Sequence, residues 1–315
     1  MKTTDDKTYY DRHNYSVKIN SVKDYISRLN DVNSIIDFGC NNGEVSKNLT
    51  TDNVSVLGID YSSNLNIPKD YNFINANIVE HRGDISNDCA IFLSLYHHIL
   101  GKYGLETADD LFYRIFFNTK YLIFDCGNVS EKKRDNTYWL QKQKKYFKSE
   151  KELLDHFGLT YEIISKYEVG GGVRSIVVFK NDDNINYGEK MEYQRMCGSE
   201  HSNKGLFKKG DNEKLFKNTT YHKLKLGDKY FFTKKHKNES WNNKELMNTI
   251  LLNEKYDKNL LIKFYGYNEK YGLVFEWLDD FKYSKKIEIN TDYITLKDVD
   301  EIKVDNKIKH IDFHW

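Results

Sequence analysis

Residues 34–46 read Ser-Ile-Ile-Asp-Phe-Gly-Cys-Asn-Asn-Gly-Glu-Val-Ser, and this segment carries the clearest structural pattern in the chain. An apolar run contains the acid Asp37 and is followed by two glycines, Gly39 and Gly43. Glycine has no Cβ, so the backbone can turn sharply there and approach a ligand closely. The pattern predicts a buried strand, a tight turn and a helix beginning over Glu44 to Leu49, whose first main-chain amides favour a polar or anionic group.

The spacing of these glycines differs from the dinucleotide-binding pattern G-x-G-x-x-G. The sequence Asp37-x-Gly39-Cys40-x-x-Gly43 resembles motif I of the class I S-adenosylmethionine (SAM) methyltransferases. The resemblance implies that Asp37, Gly39, Asn41 and Gly43 hold the methionine end of SAM, with Cys40 in the same cofactor site. The other interpretation is a strand–turn–helix joint that binds no ligand.

A second acid follows the glycine turn at the spacing expected for the end of the next strand. Residues 54–60 form a second apolar run that ends at Asp60, 21 residues after Gly39. In doubly wound folds an acid at the end of the second strand accepts both ribose hydroxyls, because a carboxylate offers two oxygens to a vicinal diol. The resemblance adds Tyr61 to the cofactor site, and places Asn77, near the end of a third strand over 71–78, at the adenine amino group. Asn77 is equally suited to an Asx turn at the strand end.

Polar residues also follow the fourth and fifth apolar runs. Residues 88–95 are continuously apolar in their middle, as expected of a parallel strand buried on both faces, and Tyr96, His97 and His98 follow. The resemblance puts Ser94 and Leu95 at the cofactor. His97 or His98 is a candidate general base, because histidine titrates near neutrality. The alternative is that one histidine caps a helix and the other packs beneath the adenosine.

The fifth strand, over 121–127, contains Asp125, which is a candidate to orient the substrate or a catalytic histidine, or else to cap a loop. A helix over 105–118 precedes it, and Ser149 is a candidate N-cap for a later helix. Strands over 161–164 and 174–179, joined by a triglycine at 170–172, would complete the sheet. We therefore predict an α/β, doubly wound, seven-stranded Rossmann-like methyltransferase domain over residues 1–180. Aromatic and basic residues at 9–15 suit either a lid or a packing face.

The rest of the chain changes in pattern. Residues 181–205 are expected to form a linker, and residues 206–315 a smaller α+β module. A hairpin over 221–235, a helix over 242–256 and strands over 260–267 and 271–279 resemble the N-lobe of a protein kinase. In that resemblance Lys234 or Lys235 pairs with phosphate, Glu245 is its helix partner, residues 275–278 are the hinge, and 310–315 resemble the metal-binding D-F-G segment.

The module departs from that family in important ways. No glycine-rich loop precedes the lysine strand, and no H-R-D-type catalytic loop precedes Asp312. A phosphotransferase needs base, metal ligands and phosphate cradle together. The module is therefore interpreted as a truncated or degenerate kinase-like unit for docking, or as an unrelated α+β domain. A methyltransferase followed by such a module resembles the bifunctional enzymes that phosphorylate and methylate the ends of bacterial surface polysaccharides.

Composition limits the partners, metal sites and cellular locations that we expect. The chain has 315 residues, 39% hydrophobic and 30% charged, and a net charge of +1, so neither nucleic acid nor an acidic membrane is required as partner. The four cysteines are scattered, which predicts reduced core thiols, no metal site and a cytoplasmic location. No apolar run approaches the roughly 20 residues that span a bilayer.

These observations predict a SAM-dependent methyltransferase that acts on the oxygen of a sugar, a phosphate or a small polar acceptor. The first alternative is an inactive methyltransferase/kinase-like scaffold that only binds. The second is a nucleic-acid methyltransferase, which is less favoured because residues 206–315 contain no arginine, the preferred phosphate and base reader.

Overall fold

The computed structural model describes residues 15–182 and 219–311, except for short gaps at 48, 52, 63–64, 132–136, 258, 279–281, 291–294 and 305–306. The chain forms two compact units, the first with a seven-stranded sheet and the second with a four-stranded and a three-stranded sheet. The predicted linker lies almost wholly outside the described residues, as do the cluster at 9–14 and the segment from Asp312 onward.

The first unit alternates helices and strands. Its elements in chain order are α1 (Tyr15–Ile26), β1 (Ser34–Phe38), β2 (Ser55–Asp60), β3 (Asn72–Asn75), β4 (Asn87–Leu93), α2 (Tyr96–Tyr103), α3 (Leu105–Phe116), β5 (Thr119–Asp125), α4 (Tyr138–Gln143), α5 (Glu150–His156), β6 (Tyr161–Val169) and β7 (Gly172–Lys180).

The sheet has the order β3-β2-β1-β4-β5-β7-β6. Strands β1 to β5 pair in parallel, while β7 runs antiparallel to both β5 and β6. Gly170 and Gly171 have φ of 60° and 77°, the left-handed conformation that a two-residue hairpin turn between β6 and β7 requires. The predicted seven-stranded, doubly wound sheet is confirmed, and β1 and β4 lie at the point where the strand order reverses, which is where such sheets build their sites.

The helix predicted over Glu44 to Leu49 was wrong. Residues 43–47 form successive turns, in which the amides of Ser46 and Lys47 both donate to the carbonyl of Gly43, at 3.1 and 2.8 Å. Asparagine, glycine and serine are poor helix formers because their side chains or free backbones favour turns. The Ser46 hydroxyl bonds to the buried side chains of Asp37 and Tyr71, and the described residues of the 43–49 stretch contain no helix.

An aromatic core supports the carboxyl edge of the sheet. Phe112 of α3 stacks on Phe157 with centroids 3.6 Å apart, and both rings contact Phe124 of β5 and Phe179 of β7. The Ser149 hydroxyl accepts a hydrogen bond from the Glu152 amide at 3.1 Å, which confirms the predicted N-cap of α5.

Three cysteines lie buried as free thiols in or beside strands, as predicted: Cys40, Cys89 and Cys126. Cys197 lies outside the described residues.

The second unit is α+β. It contains β8 (Thr219–Leu226), β9 (Lys229–His236), α6 (Glu239–Lys255), β10 (Phe264–Asn268), β11 (Gly272–Glu276), β12 (Lys282–Asn290), β13 (Thr295–Val304) and β14 (Lys307–Ile311). The four-stranded sheet has the order β10-β11-β9-β8, and β12-β13-β14 form the antiparallel three-stranded sheet, which the sequence did not lead us to expect. Within the described part of both units, no helix has the length and apolarity to cross a membrane.

Candidate active site

Hydrogen bonds connect the glycine turn after β1 to the end of β2. The Gly39 amide donates to the carbonyl of Ile59 at 2.8 Å, and the Asn41 amide donates to Asp60 Oδ2 at 3.1 Å. The other oxygen, Asp60 Oδ1, accepts from the Ser62 amide at 2.9 Å. These bonds fix the carboxylate while leaving some of its four or so lone-pair sites for a ligand.

Asp37 is the acid beneath the same turn. Its side chain is 4% exposed and its Oδ2 accepts a 2.6 Å hydrogen bond from the Ser46 hydroxyl. Burial raises the pKa of Asp37 to about 7, the bond from Ser46 opposes this rise, and the charge of Asp60 adds to it. Asp37 and Asp60 therefore interact electrostatically at one edge of the sheet, as expected from strands that lie side by side.

The glycines of the turn make room for neighbouring side chains. Gly39 has φ of 75°, and a Cβ there would lie 2.8 Å from Leu95 Cδ2. Gly43 has φ of 73°, and a Cβ there would lie 3.1 Å from the Tyr71 ring. Leu95 thus packs directly on the turn, at the position that the resemblance assigned to the cofactor site.

The remaining predicted cofactor residues have different surroundings. Cys40 is buried, and burial raises the pKa of its thiol. Tyr61 follows Asp60 and is 57% exposed. Asn77 Oδ1 accepts from the Val79 amide at 3.2 Å and its Nδ2 donates to Tyr103 Oη at 3.2 Å. The Asx turn that the sequence left open at Asn77 is therefore present.

The two histidines after β4 differ in exposure. His97 is 1% exposed, and its Nδ1 accepts a 2.9 Å hydrogen bond from the Gly127 amide, so its proton is on Nε2. His98 is exposed, and its ring centroid lies 4.3 Å from that of His97. Trp139 of α4 packs on His97 at 4.4 Å. The general-base role predicted for either histidine stays a prediction, for which His98 is the more accessible candidate.

Ser94 and Asp125 lie together at the ends of β4 and β5. Ser94 has φ of 56°, a strained conformation for serine, and both its amide and its hydroxyl donate to Asp125 Oδ1, at 2.6 and 3.0 Å. Tyr167 Oη donates to Asp125 Oδ2 at 2.5 Å, and Lys18 Nζ lies 3.3 Å from the same oxygen. Burial alone would raise the pKa of Asp125, but Lys18, Arg174 and these hydrogen bonds outweigh it and hold the pKa below its usual range.

Two buried cations complete this cluster. Lys18 Nζ and Arg174 Nη1 both donate to Ser94 Oγ, at 2.6 and 3.0 Å. Arg174 also forms a bidentate pair with Glu131, at 2.7 and 3.0 Å. We call Lys18, Ser94, Asp125, Glu131, Tyr167 and Arg174 the polar cluster.

Sequence reasoning missed most of the polar cluster, although two signals were present. Lys18 lies on the apolar face of α1, four residues before Val22 and in line with Tyr25 and Ile26. Arg174 is a charged residue in the buried middle of β7, just before the apolar run 176–179. A charge at a core position must be paired, so each of these residues indicated a buried partner.

The second unit holds a separate buried ionic group. Lys234 Nζ of β9 lies 2.9 Å from Glu245 Oε1 of α6, and His236 Nε2 lies 2.6 Å from Glu245 Oε2. The predicted pairing of Glu245 with a lysine of this strand is confirmed, and the lysine is Lys234. Lys235 instead donates to the Glu269 carbonyl. Gly272, with φ of 80°, makes room for the Lys234 main chain, because a Cβ there would overlap its carbonyl oxygen.

Comparison with protein-family models finds no match, and comparison with curated proteins finds none either. Among solved structures, the chain is similar to the bifunctional kinase-methyltransferase WbdD, with 17% identity and a TM-score of 0.43 over 88% of this chain. It spans 65% of that WbdD chain, less than two thirds. The plantazolicin methyltransferase BpumL, in complex with a pentazolic desmethylPZN analog and SAH, matches 55% of this chain and 86% of its own, with 14% identity and a TM-score of 0.39. An rRNA methylase from Escherichia coli matches 52% of this chain and 63% of its own, with 16% identity and a TM-score of 0.36.

Proposed function

We propose that the first unit is a SAM-dependent methyltransferase. The observation that carries this proposal is the pair of acids, Asp37 and Asp60, that flank one glycine turn at the carboxyl edge of a doubly wound sheet. Ligands bind such sheets at this edge, where the strand order reverses. A sulfonium nucleoside has a cationic amino-acid end and a vicinal diol, and each suits one carboxylate.

The surroundings of these residues support the proposed cofactor. Asp60 is oriented by two main-chain amides and keeps lone pairs for the ribose hydroxyls. Asp37 and the backbone of Gly39, Asn41 and Gly43 would hold the methionine end. The residues around them would line the remaining surface: Cys40, Tyr61, Asn77, Ser94 and Leu95. SAM, when bound, supplies an electrophilic methyl group for in-line transfer.

The acceptor is proposed to be a polar molecule, with oxygen as the methylated atom. The chain's own contribution is to align that oxygen and, for a hydroxyl, to remove its proton, so that proximity carries much of the rate. His98 is our candidate base, since its ring is exposed while Nδ1 of the adjacent His97 accepts the Gly127 amide. Asp125 is saturated by Ser94, Tyr167 and Lys18, which suits positioning rather than proton transfer.

We propose that the second unit is a kinase-N-lobe-like module used for docking. Its order of elements and the buried Lys234–Glu245 pair support the resemblance, because kinases position phosphates with such a pair. The turn between β8 and β9 carries no glycine-rich loop, which favours binding over phosphotransfer.

The proposal is tested by isothermal titration of the full chain with S-adenosylhomocysteine (SAH), followed by transfer of a radiolabelled methyl group from SAM to a panel of sugars, phosphosugars and small hydroxy compounds. Asp60→Asn should weaken SAH binding at least tenfold, as expected for loss of charge-assisted hydrogen bonds, while the exposed Asp228→Asn should not. Binding without transfer to any acceptor would favour the inactive scaffold. An absence of heat at millimolar SAH would exclude the proposed function.

A further inference from the structure

A buried hydrogen-bonded chain runs from Tyr71 through Ser46 to Asp37. Ser46 Oγ lies 2.6 Å from Asp37 Oδ2 and 2.6 Å from Tyr71 Oη. Ser46 is 0% exposed, Asp37 4% and Tyr71 8%, so water does not replace these bonds. The sequence patterns singled out Asp37 alone, and neither of the other two residues belongs to the predicted site.

The direction of this chain follows from counting protons. A serine hydroxyl has one proton to donate, and an ionised carboxylate only accepts. When Asp37 is ionised, Ser46 must donate to it, and Tyr71 must then donate to Ser46. Burial, followed by the charge of Asp37, raises the pKa of Tyr71, so the phenol keeps the proton that this arrangement needs.

The fold makes specific room for the Tyr71 ring. A Cβ at Gly58 would lie 2.5 Å from Tyr71 Cε1 and 2.6 Å from its Oη, and a Cβ at Gly43 would lie 3.1 Å from Cε1. One glycine belongs to β2 and the other to the turn after β1. The second glycine of the G-x-x-x-G pattern therefore makes room for the tyrosine of this hydrogen-bonded chain.

The charged groups around Asp37 have opposite effects on its ionisation. Asp60 of β2 disfavours its ionisation, and Lys18 of α1 and the Ser46 hydroxyl favour it. Cys40 and Tyr71, which also face this region, keep their protons because burial raises the pKa of each. Burial and the repulsion from Asp60 both disfavour the ionised form of Asp37. That form therefore depends on the hydrogen bond from Ser46, whose hydroxyl Tyr71 orients.

We propose that Tyr71, acting through Ser46, is a positioning residue that holds Asp37 ionised for the ammonium group of the cofactor's amino-acid end, so that cofactor affinity rises with pH across neutrality. This inference rests on the proposed function. It names a residue outside the motif and assigns it to one part of the ligand.

Two probes separate this role from a structural one. SAH carries the ammonium group, whereas 5′-methylthioadenosine keeps the nucleoside and thioether but lacks the amino-acid end. Both are titrated into the full chain by calorimetry between about pH 5.5 and 8, with wild type, Tyr71→Phe, Ser46→Ala and the control Tyr113→Phe. Tyr113 is a buried tyrosine that donates to the Phe157 carbonyl elsewhere in the unit.

We expect wild-type SAH affinity to rise with pH, and methylthioadenosine affinity to stay flat. Tyr71→Phe should weaken SAH binding about three- to tenfold at neutral pH, the range for one hydrogen bond, and move the midpoint to higher pH. It should leave methylthioadenosine affinity unchanged. If Tyr71→Phe does not fold, Ser46→Ala interrupts the same chain and is read in the same way.

Three results would overturn the inference. The first is a flat pH profile for SAH with wild type, and the second is an unmoved midpoint in Tyr71→Phe or Ser46→Ala. The third is an equal loss for both probes, which would mean that Tyr71 only shapes the pocket. Failure of wild type to bind either probe would instead remove the proposed function itself.

Discussion

The amide of Asn41 and the carboxylate of Asp60 lie 3.1 Å apart, although 19 residues separate them in the chain. Asn41 has φ of 51°, which asparagine tolerates better than most residues, and this conformation accompanies the bond to Asp60. The glycine turn and the acid that ends β2 are thus held together by a hydrogen bond. A change in the turn should consequently alter ligand binding as well as stability.

Gly39→Ala should separate these two effects when compared with Gly104→Ala. Both glycines have positive φ, so each alanine should destabilise the fold by about 1–3 kcal/mol. Only the alanine at 39 meets a side chain, Leu95, whereas the space around Gly104 is open. We expect both variants to lose similar stability in urea and only Gly39→Ala to lose SAH affinity. Equal SAH affinity in the two variants would contradict a cofactor site at the turn.

The stability of the ligand-free protein should depend on the protonation of Asp37. The pKa of Asp37 is about 7 in the fold and about 3.9 in the unfolded chain. Its contribution to the free energy of unfolding is therefore fully present below about pH 4 and is lost as pH rises through 7. The difference between the two pKa values corresponds to on the order of 4 kcal/mol. Asp37→Asn should remove this slope relative to wild type in urea unfolding at several pH values. The control Asp228→Asn should keep it, and an unchanged slope in Asp37→Asn would refute the assignment.

Lys18 should be essential to the polar cluster. Lys18→Met leaves Asp125 buried without the ammonium that lies 3.3 Å away, and such uncompensated charges cost about 3–5 kcal/mol. Lys23→Met on the exposed face of the same helix should change stability by less than about 0.5 kcal/mol. Both values come from urea unfolding. A loss below about 1 kcal/mol for Lys18→Met would mean that Asp125 is paired well enough by its other partners.

Glu245 should be equally important in the second unit. Glu245→Gln removes the charge that pairs with Lys234 at 2.9 Å and faces His236 at 2.6 Å, so we expect a loss of about 3–5 kcal/mol in the unfolding of that unit. The exposed Glu254→Gln on the same helix is the matched control. Similar unfolding curves for the two variants would show that the buried ionic group does not stabilise the module.

The sequence predicted those features that depend on local pattern. Apolar runs that contain Asp37 and end at Asp60, together with glycines at the turns, were sufficient to predict the sheet and the β6–β7 and β8–β9 hairpins. The sequence prediction failed at Glu44 to Leu49, where the backbone forms turns and the Ser46 hydroxyl bonds to the buried side chains of Asp37 and Tyr71.

The residues that were missed depend on long-range contacts. Lys18 and Ser94 lie 76 residues apart in the chain, and no short motif joins them. Tyr71 reaches Ser46 because Gly43, in the turn after β1, and Gly58, in β2, leave room for its ring. A pattern within one segment cannot show such a contact. A buried lysine or arginine in an apolar stripe indicates that a partner exists but does not identify it.

The most direct test of the central claim is a crystal structure of the full chain with SAH. We expect the ligand at the turn after β1, with both ribose hydroxyls within hydrogen-bond distance of the Asp60 carboxylate and the ammonium facing Asp37. A ligand bound elsewhere, or a crevice after β1 filled by the chain's own side chains, would contradict the account.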